Sequence, residues 1–152
     1  MSFHSNATNT LIQQDGESDM FLTCFYAMLN TVTGQLTFAN AGHNYPLWWH
    51  ENEFHQLRAK GVLLGMVEHI TLNEATIQLD SGDVIVFYTD GVTEAMNEAE
   101  DLFGEDRLRE VIGAHIHESV GEIQAAIMSA LAEFVGNAPR SDDVTLVVLQ
   151  RC

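Results

Sequence analysis

Two segments of the sequence are apolar on both faces, and they limit most strongly what this chain can fold into. Residues 84–88 read Val-Ile-Val-Phe-Tyr, and residues 144–149 read Val-Thr-Leu-Val-Val-Leu. A strand of this composition fits the interior of a layered structure, where other elements cover both faces of the sheet. The sequence therefore predicts two buried strands in a layered sheet fold.

Shorter segments that lie between turn residues predict the other strands. They alternate polar and apolar side chains or are rich in aromatic residues, and they occupy positions 20–30, 35–40, 47–50, 53–57 and 74–79. Turns are expected at 31–34, 41–44 and 51–52, and a loop at 61–65. Residues 3–14 resemble the tail of a helix, which the polar segment 15–19 ends.

Two helices are expected between the apolar segments. Residues 108, 111, 112, 115 and 116 form an amphipathic stripe, and Ser119 with Glu122 matches the capping box of a second helix that Gly136 and Pro139 end. Strands, then two helices, then one strand indicate the α+β class. The prediction is a layered β-sandwich flanked by helices, formed as a single domain over residues 1–152.

The charge balance excludes several kinds of function. The 152 residues carry 6 basic against 22 acidic side chains, a formal net charge of −16. Such a surface repels nucleic acid and anionic lipid, so neither is an expected partner. The sequence has no apolar segment of membrane-spanning length and no signal-peptide pattern at its start. Cys24 and Cys152 lie far apart, which favours free thiols in a reducing cytoplasm.

Acidic residues lie at the ends of both apolar segments. Asp90 follows the first, and Asp142 and Asp143 precede the second. Carboxylates at the rim of a covered sheet need compensation, and oxygen ligands suit Mg²⁺ or Mn²⁺. The alternatives are that Asp90 is a turn residue or caps a short helix over 92–97, and that the other two lie in a solvated turn. Spacing alone leaves these alternatives open.

Four motifs together resemble the SpoIIE/RsbU-type phosphatases, a bacterial branch of the metal-dependent type 2C phosphatase superfamily. They occur in the family's order and span about residues 20–150. The motifs are Phe-Tyr-Thr-Asp-Gly-Val-Thr-Glu-Ala at 87–95, Ser-Asp-Asp-Val-Thr at 141–145, Ala-Asn-Ala-Gly-His-Asn at 39–44, and Leu-Phe-Gly at 102–104 with Arg-Leu at 107–108. Each motif is weak alone, and the set is specific.

The resemblance implies a β-sandwich flanked by helices that holds two Mg²⁺ or Mn²⁺ ions. Those ions would activate a water that hydrolyses phosphoserine or phosphothreonine. Carried over by position, Asp90 and Asp142 would be metal ligands with a catalytic role, and Asp143 would support the metal site from behind them. The implied substrate is a phosphorylated regulatory protein, such as an anti-sigma-factor antagonist.

The sequence also departs from the family pattern. The family's domain begins with further aspartates in a Gly-Asp-type and an Asp-x-x-Gly-type motif, and this sequence contains neither. The expectation is therefore an N-terminally truncated chain, the C-terminal part of the domain, which holds at most half a metal site and has little or no activity. Unpaired sheet edges would favour a homodimer.

Two other functions remain open. A non-catalytic interaction or dimerisation module derived from a phosphatase would also lack the upstream aspartates. A β-sandwich that binds a single divalent ion for stability would use the same acidic residues.

Five other residues are candidates for a site by residue type alone. We expect His43 to fix its turn, and His115 and His117, two positions apart on a helix, cannot share a zinc ion. Of Trp48 and Trp49, one is expected to face inward.

Overall fold

The computed structural model describes residues 5–14, 21–139 and 142–152, with side chains in the first helix from Ala7 onward. The elements in chain order are α1 (Ser5–Gln14), β1 (Cys24–Leu29), β2 (Gln35–Ala41), β3 (Leu47–His50), β4 (Glu53–Gln56), β5 (Ala75–Gln78), β6 (Val84–Tyr88), α2 (Asp90–Thr93), α3 (Gly104–Ala114), α4 (Val120–Val135) and β7 (Leu146–Gln150). They divide into two compact units. The first unit draws on Met1–Tyr45 and Arg58–Leu79, and the second on Pro46–Leu57 and Asp80–Cys152.

The first unit contains an antiparallel sheet in the order β1-β2-β5. The buried amide of Asn9 connects α1 to a loop of this unit. Its Nδ2 donates to the carbonyl of Val67 at 2.8 Å, and its Oδ1 accepts from the amide of Gly65 at 2.7 Å. Asn9 is fully buried, and these bonds satisfy an amide whose burial would otherwise be costly.

The second unit contains an antiparallel sheet in the order β4-β3-β6-β7. Glu51 and Asn52 connect β3 to β4 with φ of 50° and 63°, as a two-residue turn with both central residues left-handed requires. One apolar core joins the sheet to α3 and α4. Its buried members include Val86, Tyr88, Leu108, Ile112, Ile123 and Ile127.

The predicted α+β class is confirmed, and several boundaries move. The strand expected at 20–30 begins at Cys24, and Leu22 forms only a single bridge to Leu64. The strand expected at 74–79 covers Ala75–Gln78. The expected break at 15–19 and Met20 lie outside the described residues.

The prediction that 144–149 is a strand buried on both faces is wrong. The strand covers Leu146–Gln150, and none of its residues is fully buried. It lies at the edge of its sheet, with β6 as its pairing partner. Leu146 and Val148 pack against the helix-side core, whereas Val147 is on the opposite face and 53% exposed.

The helix predicted through residue 116 is shorter. It ends at Ala114 with His115 at the C-cap, and Ile116 is nevertheless buried beyond the helix end. Since His115 donates its backbone amide to the carbonyl of Ile112 at 3.1 Å, the chain tightens there instead of continuing the helix.

The capping box predicted at the start of α4 is confirmed. The Ser119 hydroxyl accepts from the amide of Glu122 at 3.4 Å, and the Glu122 carboxylate accepts from the amide of Ser119 at 2.9 Å. The Ser119 hydroxyl also donates to the Glu122 carboxylate at 2.7 Å. This bond, together with the one from the Ser119 amide, lowers the pKa of the Glu122 carboxyl, because both favour its charged form.

We expect Ser119→Ala to lower the free energy of unfolding by about 1 kcal/mol, the typical cost of losing a serine N-cap. The matched control is Ser129→Ala on the exposed middle of the same helix, where alanine is the better helix former. Urea denaturation of both variants measures the difference. Equal stability of Ser119→Ala and Ser129→Ala would contradict the conclusion that the N-cap stabilises α4.

Candidate active site

Asp90 lies just beyond the inner strand β6 of the second unit, where a short helix begins. The helix α2 begins at Asp90, and Thr89 occupies the N-cap position in extended conformation without a side-chain cap bond. Asp90 is exposed, and its Oδ1 accepts from the amide of Gly91 at 3.0 Å. The alternative that Asp90 caps a helix over 92–97 is therefore wrong.

Thr89 holds the segment around Asp143 against this turn. Its hydroxyl donates to the carbonyl of Asp143 at 3.1 Å and accepts from the amide of Thr145 at 3.0 Å. The amide of Thr89 also donates to the carbonyl of Thr145 at 3.2 Å. These bonds extend the β6–β7 pairing by one irregular step beyond its last register pair, Tyr88 with Leu146.

Gly91 allows the two acidic segments to approach closely. A Cβ built on this buried glycine would overlap the carbonyl oxygen of Asp143 and lie 2.9 Å from its carbonyl carbon. Because backbone atoms cannot rotate away as a side chain can, only a residue without a Cβ fits there. The structure thus brings Asp90 next to the Asp142–Asp143 segment, although 52 positions separate Asp90 from Asp142 in the sequence.

The three carboxylates remain available to a ligand. Asp90, Asp142 and Asp143 are all exposed, and within the described residues none of them forms an ion pair. The Oδ1 of Asp142 accepts from the amide of Asp143 at 2.7 Å. That bond turns the Asp142 side chain back toward the backbone of the next residue. Among the described residues, the second oxygen of this carboxylate has no hydrogen-bond partner.

The carboxylates of these residues are suitable ligands for a hard divalent cation, but they are too few to form its complete ligand set. Carboxylate oxygens are the donors that Mg²⁺ and Mn²⁺ prefer, and Mg²⁺ is often held by one or two carboxylates together with waters. In the described ranges, no group of three or more His, Cys, Asp and Glu residues is arranged to hold a metal ion.

A cavity of about 230 Å³ adjoins Asp142. Asp142 and Gly91 line one side of it, and apolar side chains of α4, together with Ala95 and Met96, line much of the rest. It therefore offers an apolar surface directly beside a carboxylate.

His43, in the first unit, has the structural role expected of it. Its amide donates to Oδ1 of the buried Asn40 at 2.7 Å, and Nδ2 of Asn40 donates to its carbonyl at 2.8 Å. Its Nδ1 lies 3.0 Å from the Thr23 hydroxyl. These bonds fix the turn after β2.

Two acidic residues of the second unit were not among the predicted site residues. Asp83 is 5% exposed and accepts from Nε1 of Trp48 at 3.2 Å. Glu105 accepts from the hydroxyl of Tyr88 at 3.1 Å, and burial together with the Glu105 charge raises the pKa of that tyrosine. Asp83 directly precedes the apolar strand β6, and for this residue that position was the signal available in the sequence.

The two tryptophans face opposite sides of the sheet, as predicted. Trp49 packs against the helix-side core and meets Phe54 edge-on at 4.8 Å. Trp48 stacks instead on His50, with ring centroids 4.4 Å apart.

The fold is that of type 2C phosphatase domains. The chain superposes on the SiaA-PP2C domain of Pseudomonas aeruginosa with a TM-score of 0.83 and 20% identity, over 96% of this chain and 58% of that one. The catalytic domain of the serine/threonine phosphatase PstP in complex with two manganese ions aligns with a TM-score of 0.69 and 13% identity, over 95% of this chain and 65% of that one.

Sequence comparison identifies the family. Residues 5–152 match the family described as Stage II sporulation protein E (SpoIIE), and the chain belongs to it. Phosphoserine phosphatase RsbU of Bacillus subtilis is 34% identical over 145 residues, which are 94% of this chain and 43% of RsbU. The chain thus spans less than half the length of this relative. None of the helices in the described ranges is long and apolar enough to cross a membrane.

Proposed function

We propose that this chain is part of a metal-dependent protein serine/threonine phosphatase. The observation that carries the proposal is the approach of Asp90 to the Asp142–Asp143 segment, held by Thr89 and permitted by Gly91. Membership in the SpoIIE family and the relationship to a protein named phosphoserine phosphatase support this function.

Asp90 and Asp142 are the proposed ligands and catalytic residues, and Asp143 supports them. Mn²⁺ or Mg²⁺ would supply Lewis acidity to the phosphoryl group and lower the pKa of bound water. The chain itself contributes the position of the carboxylates. Thr89 sets the spacing of the two segments, and the buried strand β6 gives Asp90 a rigid base.

The proposed substrate is the phosphoserine or phosphothreonine of a cytoplasmic regulatory protein, of the anti-sigma-factor antagonist type. The relationship to a protein named phosphoserine phosphatase RsbU supports a phosphoserine substrate. The cavity beside Asp142 is large enough for an apolar side chain next to the phosphorylated residue. A homodimer formed through sheet edges stays a prediction.

The 152 residues by themselves are proposed to have little activity. The described residues bring together two acidic segments, and no group of three or more potential ligands occurs among them. Further acidic ligands from a longer chain would complete the site. Two carboxylates are also too few to hold two ions in a fixed geometry.

The test is a phosphatase assay with Mn²⁺ and Mg²⁺ on a phosphoserine peptide. It compares the 152-residue chain with a protein that also includes whatever its gene encodes before Met1. In an active protein, Asp90→Asn and Asp142→Asn are each expected to lower kcat by about 100-fold or more, the scale of losing one preorganised electrostatic contact.

Glu98→Gln is the matched control for these two variants, because Glu98 is an exposed acid outside the candidate site. It should leave kcat unchanged. Full activity of Asp90→Asn would overturn the proposal, and so would a rate that does not depend on a divalent metal.

The second candidate function is a non-catalytic interaction module derived from a phosphatase. The incomplete ligand set of the described residues favours it. The same assay separates the two functions, since a module of this kind stays inactive even when the upstream residues are included.

A further inference from the structure

We propose that His50 and His55 form a second metal site, which takes a transition-metal ion of the Zn²⁺ type. The site lies on the β3–β4 hairpin of the second unit and uses none of the carboxylates assigned to phosphatase chemistry. This proposal can therefore be tested independently of the proposed function.

The hairpin brings three rings together on one face. Trp48 pairs with His55 across the strands, and His50 follows Trp48 by two positions on the same face. The imidazole centroids of His50 and His55 are 6.1 Å apart, and Trp48 stacks on His50 and lies 5.4 Å from His55. A rotation of the exposed His55 side chain, which costs little at a surface, can aim its lone pair toward His50.

Asp83 orients His50 for metal binding. Nδ1 of His50 lies 3.0 Å from both carboxylate oxygens of Asp83. An ionised carboxylate can only accept hydrogen bonds, so Nδ1 carries the proton and the lone pair of the neutral ring is on Nε2. Metal-binding histidines commonly donate to a carboxylate in this way, which fixes the tautomer and raises the basicity of the ligand nitrogen.

Asp83 is itself held rigidly in this position. It is 5% exposed, and it also accepts from Nε1 of Trp48 at 3.2 Å and from the amide of Asp80 at 2.9 Å. A buried carboxylate is costly unless it is hydrogen-bonded, and these donors together with His50 satisfy it. Its position directly behind an imidazole agrees with a role in ligand orientation.

The local field attracts a cation. The Asp83 carboxylate lies 3.0 Å from the His50 imidazole, and the charges of Glu51 and Asp80 act on the same ring. This negative potential favours a bound cation. In the described residues, the ring nitrogens of His55 and Nε2 of His50 have no hydrogen bond.

Imidazole nitrogen determines which metal fits. It suits Zn²⁺, Ni²⁺ and Cu²⁺, whereas Mg²⁺ and Mn²⁺ prefer oxygen. The site supplies two protein ligands, one fewer than a catalytic zinc site has, so water or ligands from solution would fill the other two tetrahedral positions.

Calorimetric titration with Zn²⁺ tests the proposal. It uses the whole chain with Cys152→Ser, because Cys152 is an exposed thiol that would bind zinc. Excess Mg²⁺ occupies carboxylate-only sites such as that of Asp90 and Asp142. Burial raises the pKa of the Cys24 thiol, which disfavours its metal-binding thiolate form.

We expect one Zn²⁺ site, which His55→Gln abolishes and His117→Gln leaves intact. Both histidines are exposed, so neither variant disturbs the core. Asp83→Asn should weaken binding by about 10–100-fold, the usual effect of removing a partner behind a metal-binding histidine. Asp142→Asn should leave zinc binding unchanged.

Zinc binding by His55→Gln equal to that of its Cys152→Ser parent would overturn the proposal. Absence of a zinc site in the parent would do so as well. Because His55 contributes nothing to the buried network, this variant decides the question even if Asp83→Asn fails to fold.

Discussion

Gly91→Ala is expected to lower the free energy of unfolding by about 1–3 kcal/mol, the cost of forcing an extra methyl group into a packed site. The added Cβ would overlap the carbonyl oxygen of Asp143, and neither group can turn away without a backbone shift. The shift would separate Asp90 from the Asp142–Asp143 segment. An active phosphatase containing the chain should therefore lose activity together with stability.

Gly121→Ala is the control for this variant. Gly121 lies in the first turn of α4, and a Cβ there would meet nothing within 4 Å. Alanine is the better helix former, so this change should stabilise the chain by about 0.5–1 kcal/mol. Chemical denaturation of both variants measures the two opposite effects. A change in the free energy of unfolding with the same sign in both variants would contradict the steric argument.

Phe103→Ala is expected to cost about 3–5 kcal/mol, the usual range for removing a buried aromatic ring. Phe103 is 2% exposed and meets Phe134 of α4 edge-on, with ring centroids 5.5 Å apart. Its amide donates to the carbonyl of Ala95 at 2.8 Å, which connects α3 to the segment that follows α2. Loss of the ring would therefore loosen the packing behind the candidate site.

The neighbouring residue provides the comparison for Phe103. Leu102 is 51% exposed, so Leu102→Ala should change stability by no more than about 0.5 kcal/mol. Thermal unfolding followed by circular dichroism distinguishes the two variants. A small effect of Phe103→Ala would show that the core can rearrange around the missing ring.

Local patterns account for the features that were predicted correctly. The capping box at Ser119, the two-residue turn at Glu51 and the apolar strand β6 each depend on neighbours within a few positions, which the sequence displays directly. The acids at strand ends were found for the same reason, because a strand end is a local feature. The motif set then indicated the SpoIIE family, which the family match confirms.

Long-range contacts account for what was missed. Asn9 is polar and sits on a helix, and its burial depends on the carbonyl of Val67, 58 positions away. The burial of Asp83 depends on Trp48 and His50 from a different strand. Composition also overstated the burial of β7, because an apolar sequence does not reveal whether a strand lies in the middle of a sheet or at its edge.

The sequence by itself determined the α+β class, the family and the three acidic residues at the ends of its two apolar segments. Only the tertiary structure decided that the segments carrying these acids lie side by side, because the register of Tyr88 with Leu146 and the bonds of Thr89 set their spacing. Only the structure placed His50, His55 and Asp83 together. The physical reason is that strand pairing joins residues far apart in sequence, and the energy of that pairing is not visible in any short segment.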